Sequence, residues 1–420
     1  MADATPESHP EPRKHNPAAA WRHRDYRLFQ GARGFSIVAM EAQSIAIAWQ
    51  VYELTKRPLD LGYVGLAQFV PGIVLFLVVG HAADRFDRRR ILQICQLGYF
   101  LLATFLWWYS RQPTRSVRVI LIAMLGVGIV RAFSGPASQS LTPQIVPAED
   151  FQNAVAWSSS IFQAATIFGP MVGGLIYAWH GGATMVLLTA MFGFAIALVF
   201  NSMMHIRTGR MEQQATSLQT LFAGFHYVWE KKVVLGSISL DLFAVLLGGA
   251  VALLPIFATD ILHTGAWGLG VLRAAPAVGA GFMGASLAFR PLRKKSGAIM
   301  FVCVAIFGLA TIAFGLSRNF ELSLIALVFV GASDMVSVVI RSTLIQIATP
   351  PEMRGRVSAV NLLFIGASNE FGEFESGVTA QWFGAVPAVV LGGVGTLIVV
   401  GLWSWLFPEL RKVEGLTGKY

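Results

Sequence analysis

Charged side chains stand inside stretches of this sequence that are otherwise apolar, among them Glu41, Arg131, Asp241, Arg273, Asp334, Arg341, Glu370 and Glu373. At the centre of a bilayer such a charge costs roughly 2.5–3.5 kcal/mol on insertion scales, so each one needs a reason. A carboxylate that takes a proton from one side of a membrane and releases it on the other can drive a second molecule the opposite way. Glu41 and Glu370 lead the candidates for that chemistry, followed by Glu373 and Asp241, with Arg131 as the cation that tunes them. Glu370 and Glu373 are three residues apart and so share a helix face, with Glu375 turned away. Asp334 and Arg341, seven apart, also share a face and read with Arg273 as buried charge pairs.

Other chemistry lacks its residues. No G-x-x-x-x-G-K-[ST] loop is present to hold a nucleotide, and no H-E-x-x-H or cysteine spacing to hold a metal. Cys95 and Cys303 lie far apart in apolar runs, so no disulfide framework is available. No cofactor is expected, and an enzyme is the least favoured class.

The elements that carry these charges are membrane spans. Of 420 residues 55% are hydrophobic and only 13% charged, against about 25% charged in soluble domains. Twelve apolar stretches approach the roughly 20 residues a spanning helix needs, from 32–53 through a seventh at 234–258 to 358–381 and 384–407. The expected fold is an all-α membrane protein of twelve transmembrane helices in two pseudo-symmetric six-helix bundles. The divisions are a tail at 1–25, a first bundle at 26–205, a linker at 206–232, a second bundle at 233–408 and a tail at 409–420. In the linker Leu218, Leu221, Phe222, Phe225 and Trp229 recur at helical spacing, which predicts an amphipathic helix on the membrane surface.

Basic residues set the orientation. With the N-terminus in the cytoplasm, 22 of the 32 Lys and Arg fall inside, six outside, and Arg33, Arg131, Arg273 and Arg341 within spans. That bias makes both termini cytoplasmic. It also gives the net charge of +9 to membrane topology, not to nucleic acid. The halves echo each other at an offset of 205 residues: Gly65 falls on Gly270, Pro71 on Pro276, and Arg85, Arg88, Arg89 and Arg90 on Arg290, Arg293, Lys294 and Lys295. A duplicated unit of this kind places its substrate between the halves.

Three motifs carry a resemblance. The loop Gly80-His-Ala-Ala-Asp84-Arg85-Phe-Asp-Arg88-Arg89-Arg90 resembles the G-x-x-x-D-R-x-x-R-R loop of the major facilitator superfamily, with Ala82 and Asp87 departing from its preferred Leu and Gly. Gly80 permits close helix approach and Asp84 can latch a charge across the bundle. Arg131-Ala-Phe-Ser-Gly135 resembles the superfamily's R-x-x-x-G motif. Gly169-Pro170-Met-Val-Gly173-Gly174 resembles the G-P-x-x-G-G motif of its exporters, especially proton antiporters. The runs from Gln346 to Ala359, Gly366 to Gly377, Leu141 to Pro147 and Leu272 to Gly279 resemble the enterobactin-exporter-like, transmembrane secretion effector branch.

The resemblance implies a bacterial inner-membrane exporter, expected to be monomeric, that moves a small amphipathic molecule of drug or siderophore type against protons. Uptake by proton or sodium symport is the alternative, and a channel or receptor is less favoured.

Overall fold

The computed structural model describes residues 18–76, 78–79, 82, 86–180, 182–205, 218–290 and 295–414. Gly80, Asp84 and Arg85 of the expected latch, and Arg293 and Lys294 of its repeat, lie outside them.

Among the described residues all regular structure is helical, and twelve helices have 16 residues or more. In the first half they are α1 (Arg24–Thr55), α2 (Pro58–Val74), α3 (Arg88–Ser110), α4 (Val117–Ile145), α5 (Phe151–His180) and α6 (Ala183–Met203). In the second half they are α7 (Lys232–Leu247), α8 (Gly265–Phe289), α9 (Ser296–Leu316), α10 (Phe320–Ala348), α11 (Pro351–Phe383) and α12 (Ala385–Leu406). Nine helical segments among the described residues are long and apolar enough to cross a membrane. The helices that fall short are α1, α2 and α11. Helices α1 and α11 carry the acids Glu41, Glu370 and Glu373, and α2 is described as 17 residues. These acids, with the glutamines of α1, lower the apolarity of α1 and α11.

In the first half α1 packs on α5 and α6, α2 on α4, and α3 on α4 and α6. In the second, α7 packs on α11 and α12, α8 on α10, and α9 on α10 and α12. The halves meet along α2 against α11 and α5 against α8. Lipid tails are as apolar as leucine, so these contacts rest on close packing and not on escape from water. Glycine supplies the closeness: Gly62 faces Gly377 across α2 and α11, as Gly174 faces Gly270 across α5 and α8.

The apolar core is shared at one end only. Around the α1–α2 connection one cluster joins Ile45, Val51 and Leu187 of the first half to Leu253, Phe257 and Phe314 of the second. Toward the other end each half keeps its own core, around Tyr26, Leu92 and Leu141 in the first and around Leu240, Met300 and Ile340 in the second. The bundle is closed at the α1–α2 end.

The seventh stretch is not the continuous span expected at 234–258. Helix α7 stops at Gly248–Gly249, passes through a 3-10 turn at Ala250–Leu253, and ends in a π turn at Phe257–Ile261. A Cβ at Gly249 would stand 2.7 Å from the carbonyl oxygen of Gly372 in α11, so the chain crosses α11 where it lacks side chain. Pro255, with no N–H to donate, sits where the chain turns helical again.

The linker helix Leu218–Glu230 is present. Its Gly224 face docks on the backbone of Arg356, Phe225 lies 5.7 Å from Phe364, and the Tyr227 hydroxyl donates to the carbonyl of Ala348 at 2.7 Å. Phe222 and Trp229 stay exposed on the opposite side.

Candidate functional site

Midway along the bundle the two halves are joined by charge. Arg131 of α4 donates through Nη1 to Glu370 Oε1 of α11 at 3.1 Å, with the arginine side chain 50% exposed and the glutamate 12%. Glu373 follows one turn later, and both acids crowd α2 where it lacks a side chain. A Cβ at Gly65 would lie 2.7 Å from Glu373 Oε2 and 3.3 Å from Glu370 Oε2. Arg273 of α8 lies within electrostatic reach of both glutamates, and Glu41 of α1 within reach of Glu373. Three acids and two cations from four helices thus face one another between the halves. Their sum is a single negative charge when all are ionised, so one proton taken up by the cluster brings it to neutrality.

The G-P-x-x-G-G motif packs beside them. Gly169 sits against the Glu41 side chain and Gly173 against Ala42, both on α1, so this part of α5 fixes the position of Glu41. Gly174 faces the other way, onto Ala266 and Gly270 of α8. Arg89 donates to the carbonyl of Ser202 at 2.7 Å, placing its charge at the C-terminal end of α6, where the helix dipole favours a cation. Arg88 is buried beside it.

The pairing expected between Asp334 and Arg341 does not form. Arg341 bonds instead to Asp241 of α7, and both side chains are buried, at 2% and 6% exposure. Seven residues along a helix is about 10.5 Å of rise, which is too far for direct contact, so Arg341 takes the acid that a neighbouring helix presents. Asp334 lies within electrostatic reach of both. Asp241, expected among the proton-coupling acids, is therefore the partner of a buried ion pair inside the second half. Removing one member of such a pair strands the other charge and costs about 3–5 kcal/mol. Arg341→Leu is expected to lower the thermal unfolding temperature in detergent sharply, and Asp241→Asn combined with Arg341→Leu to recover part of it. Equal stability of wild type and Arg341→Leu would remove the pair from the account of stability.

At the closed end Tyr52 of α1 donates its hydroxyl to Asp260, which the π turn after α7 presents across the halves. Glu53 accepts from Trp49 at 2.6 Å and from Tyr177 of α5 at 2.9 Å, which knits the first half beneath that contact. A cavity of about 290 Å³ lies within the first half, and Arg33, Arg131, Tyr99 and Phe162 are among the residues lining it. It runs from the middle, at Met40 and Arg131, toward the open end, at Phe29 and Asn201. In the sequence Arg33 is one of four arginines within apolar spans, and no spacing assigns it a role. Its signal was one more charge in an apolar span.

Solved structures share this architecture. A bacterial homolog of the human lysosomal transporter Spinster, in an inward-facing and unoccupied conformation, superposes with a TM-score of 0.71 at 15% identity, covering 93% of this chain and 98% of that one. A D-xylose-proton symporter superposes with a TM-score of 0.69 at 15% identity, covering 94% and 99%. With the family model that matches nearly the whole chain, this fold is that of a multi-pass membrane transporter of the major facilitator superfamily. Within it, the chain belongs to the transmembrane secretion effector family, whose model matches residues 16–417. The enterobactin exporter EntS of Citrobacter koseri and that of Escherichia coli O1:K1 / APEC are each 25% identical to it over 397 residues, covering 93% of both chains.

Proposed function

We propose that this chain is a proton-driven exporter of a small amphipathic molecule of siderophore type. It works by alternating access of two pseudo-symmetric six-helix bundles, 26–205 and 233–408, joined by the linker 206–232. The observation that carries this reading is the Arg131–Glu370 bond across the halves, set among Glu41, Arg273 and Glu373. Protonation of Glu370 releases Arg131 and loosens the halves, and deprotonation on the other side restores the bond. Twelve transmembrane helices are supported by the twelve long helices and by a packing scheme in which the main first-half contacts recur six helices later. With both termini cytoplasmic in a bacterial inner membrane, the closed α1–α2 end is the outer one. The cavity then opens toward the cytoplasm, the side from which an exporter collects its cargo. Gly80, Asp84 and Arg85, with Arg88 and Arg89, supply the latch between cytoplasmic ends that steadies the opposite state.

Inverted vesicles test direction and energy source together. Enterobactin is expected to accumulate inside them when the lumen is made acidic, and to leak out when an uncoupler dissipates the gradient. Accumulation in right-side-out vesicles instead, or dependence on sodium with indifference to pH, overturns the proposal. The outer closure has its own test. Tyr52→Phe removes the hydroxyl bond to Asp260 and is expected to lengthen the distance between spin labels at Lys56 and His263, in a background without Cys95 and Cys303. An unchanged distance distribution would show that this bond does not hold the end shut.

A further inference from the structure

We infer that the first-half cavity is a binding site for an aromatic organic anion, gripped between Arg33 and Arg131. As the substrate class of the exporter it rests on the reading above; as a binding site it stands by itself. Two guanidiniums line the cavity, and among the described residues no carboxylate does. Among the described residues no acid pairs with Arg33, whose guanidinium lies 5.9 Å from the centre of the Phe162 ring. Arg131 commits Nη1 to Glu370, but a guanidinium carries five N–H donors and half of this side chain is exposed. The site is therefore positive with donors to spare, which suits a carboxylate or phenolate and repels an ammonium.

Its walls specify the remainder of the ligand. Ser36 Oγ, Gln96 Oε1 and Asn201 Oδ1 all belong to lining residues, are buried, and have no hydrogen-bond partner among the described residues. Gln96 and Asn201 are 6% and 2% exposed, so bulk water does not serve them. Buried polar atoms are ordinarily satisfied, and a ligand hydroxyl or amide N–H that parts the side chains covering them completes these. Phe29, Met40 and Phe162 supply the apolar surface. At about 290 Å³ the cavity stands at the small end of ligand pockets, which run roughly 300–1,000 Å³. It fits one substituted ring, or one ring-bearing arm of a larger molecule.

Three probes of one size separate the requirements: salicylate (anion and hydroxyl), salicylamide (neutral, same hydroxyl) and tyramine (cation and hydroxyl). They are titrated calorimetrically into the full-length protein in phosphatidylcholine nanodiscs. Salicylate is expected to bind about tenfold more tightly than salicylamide, the worth of one charge-assisted hydrogen bond, and tyramine more weakly than either. Arg33→Gln is expected to bring salicylate down to the level of salicylamide and leave salicylamide unchanged. Arg33→Lys, which keeps the charge, retains part of the difference, and Gln96→Leu weakens salicylate and salicylamide alike. Tyramine binding as tightly as salicylate, or Arg33→Gln binding salicylate like wild type, overturns the inference. If phosphatidylglycerol in the discs abolishes salicylate binding through Arg33, the anion is a lipid headgroup and the aromatic assignment is overturned. These titrations need no gradient, so their failure leaves proton-driven export standing. Failure of efflux with salicylate binding intact removes only the export reading.

Discussion

Glu370→Gln is expected to abolish gradient-driven accumulation while substrate exchange across the same vesicles continues. Glutamine keeps the size and hydrogen bonding of the acid but copies its protonated form permanently. It therefore cannot make the ion pair with Arg131 Nη1 that the carboxylate makes at 3.1 Å. Exchange requires only that the halves rock with cargo bound, and a neutral residue at 370 permits that. In the proposed proton-driven cycle, net transport requires the acid to gain and lose a proton in each turn. One charge moved through 100 mV is worth about 2.3 kcal/mol, which corresponds to roughly a fiftyfold concentration ratio. That ratio should collapse to about one in the variant. Glu370→Asp, shorter by a methylene but still ionisable, should retain a fraction of it. Measured side by side with Glu373→Gln and Glu41→Gln, the experiment assigns the coupling acid within the cluster. Full accumulation in all three glutamine variants would leave the cluster a structural one.

Glu370 and Glu373 share a face as their spacing requires, because a helix fixes the angle between i and i+3 whatever surrounds it. Their proximity to Gly65 and Arg131 belongs to other helices, and no spacing within α11 encodes it. Arg341 shows the same boundary from the other side. Its face was legible and its partner was not, since Asp241 comes from α7. Gly65 and Gly270, matched at the 205-residue offset, both lie where one half presses on the other, at Glu373 and at Gly174.

Helix ends were less legible. Helix α1 begins at Arg24 and α11 at Pro351, each about two turns before the apolar stretch that signals it. A helix that continues beyond the apolar layer loses the hydropathy signal but keeps its hydrogen bonds. The break after α7 was announced by Gly248, Gly249 and Pro255, yet glycine and proline are tolerated within membrane helices. Only the crossing of α11 makes this pair a break.

The neighbouring glycines 173 and 174 should fail in different ways, because one packs inside a half and the other between halves. A Cβ at Gly174 would lie 2.6 Å from the carbonyl oxygen of Ala266 and 2.9–3.0 Å from backbone atoms of Gly270. Backbone cannot swing aside as a side-chain tip can, so α5 and α8 must separate. Overpacking of this kind costs about 1–3 kcal/mol, and in the proposed cycle it falls only on the state in which the α1–α2 end is closed. At the upper figure the balance between the two states moves by more than about a hundredfold. Gly174→Val is therefore expected to fold, to remain in the membrane, and to populate an outward-open state that cannot export. Spin labels at Lys56 and His263 should report that opening directly. At Gly173 a Cβ would meet Cα and the carbonyl oxygen of Ala42 at 2.8 and 3.0 Å, a contact made in every state because α1 and α5 belong to one half. Gly173→Val should consequently reduce yield and thermal stability without shifting the label distance in the protein that survives. Gly401→Val supplies the control, since nothing lies within 4 Å of a Cβ there, and it should export like wild type. If Gly174→Val exports at the wild-type rate, or if both variants merely lose yield, the outer closure does not depend on the Gly174–Gly270 approach.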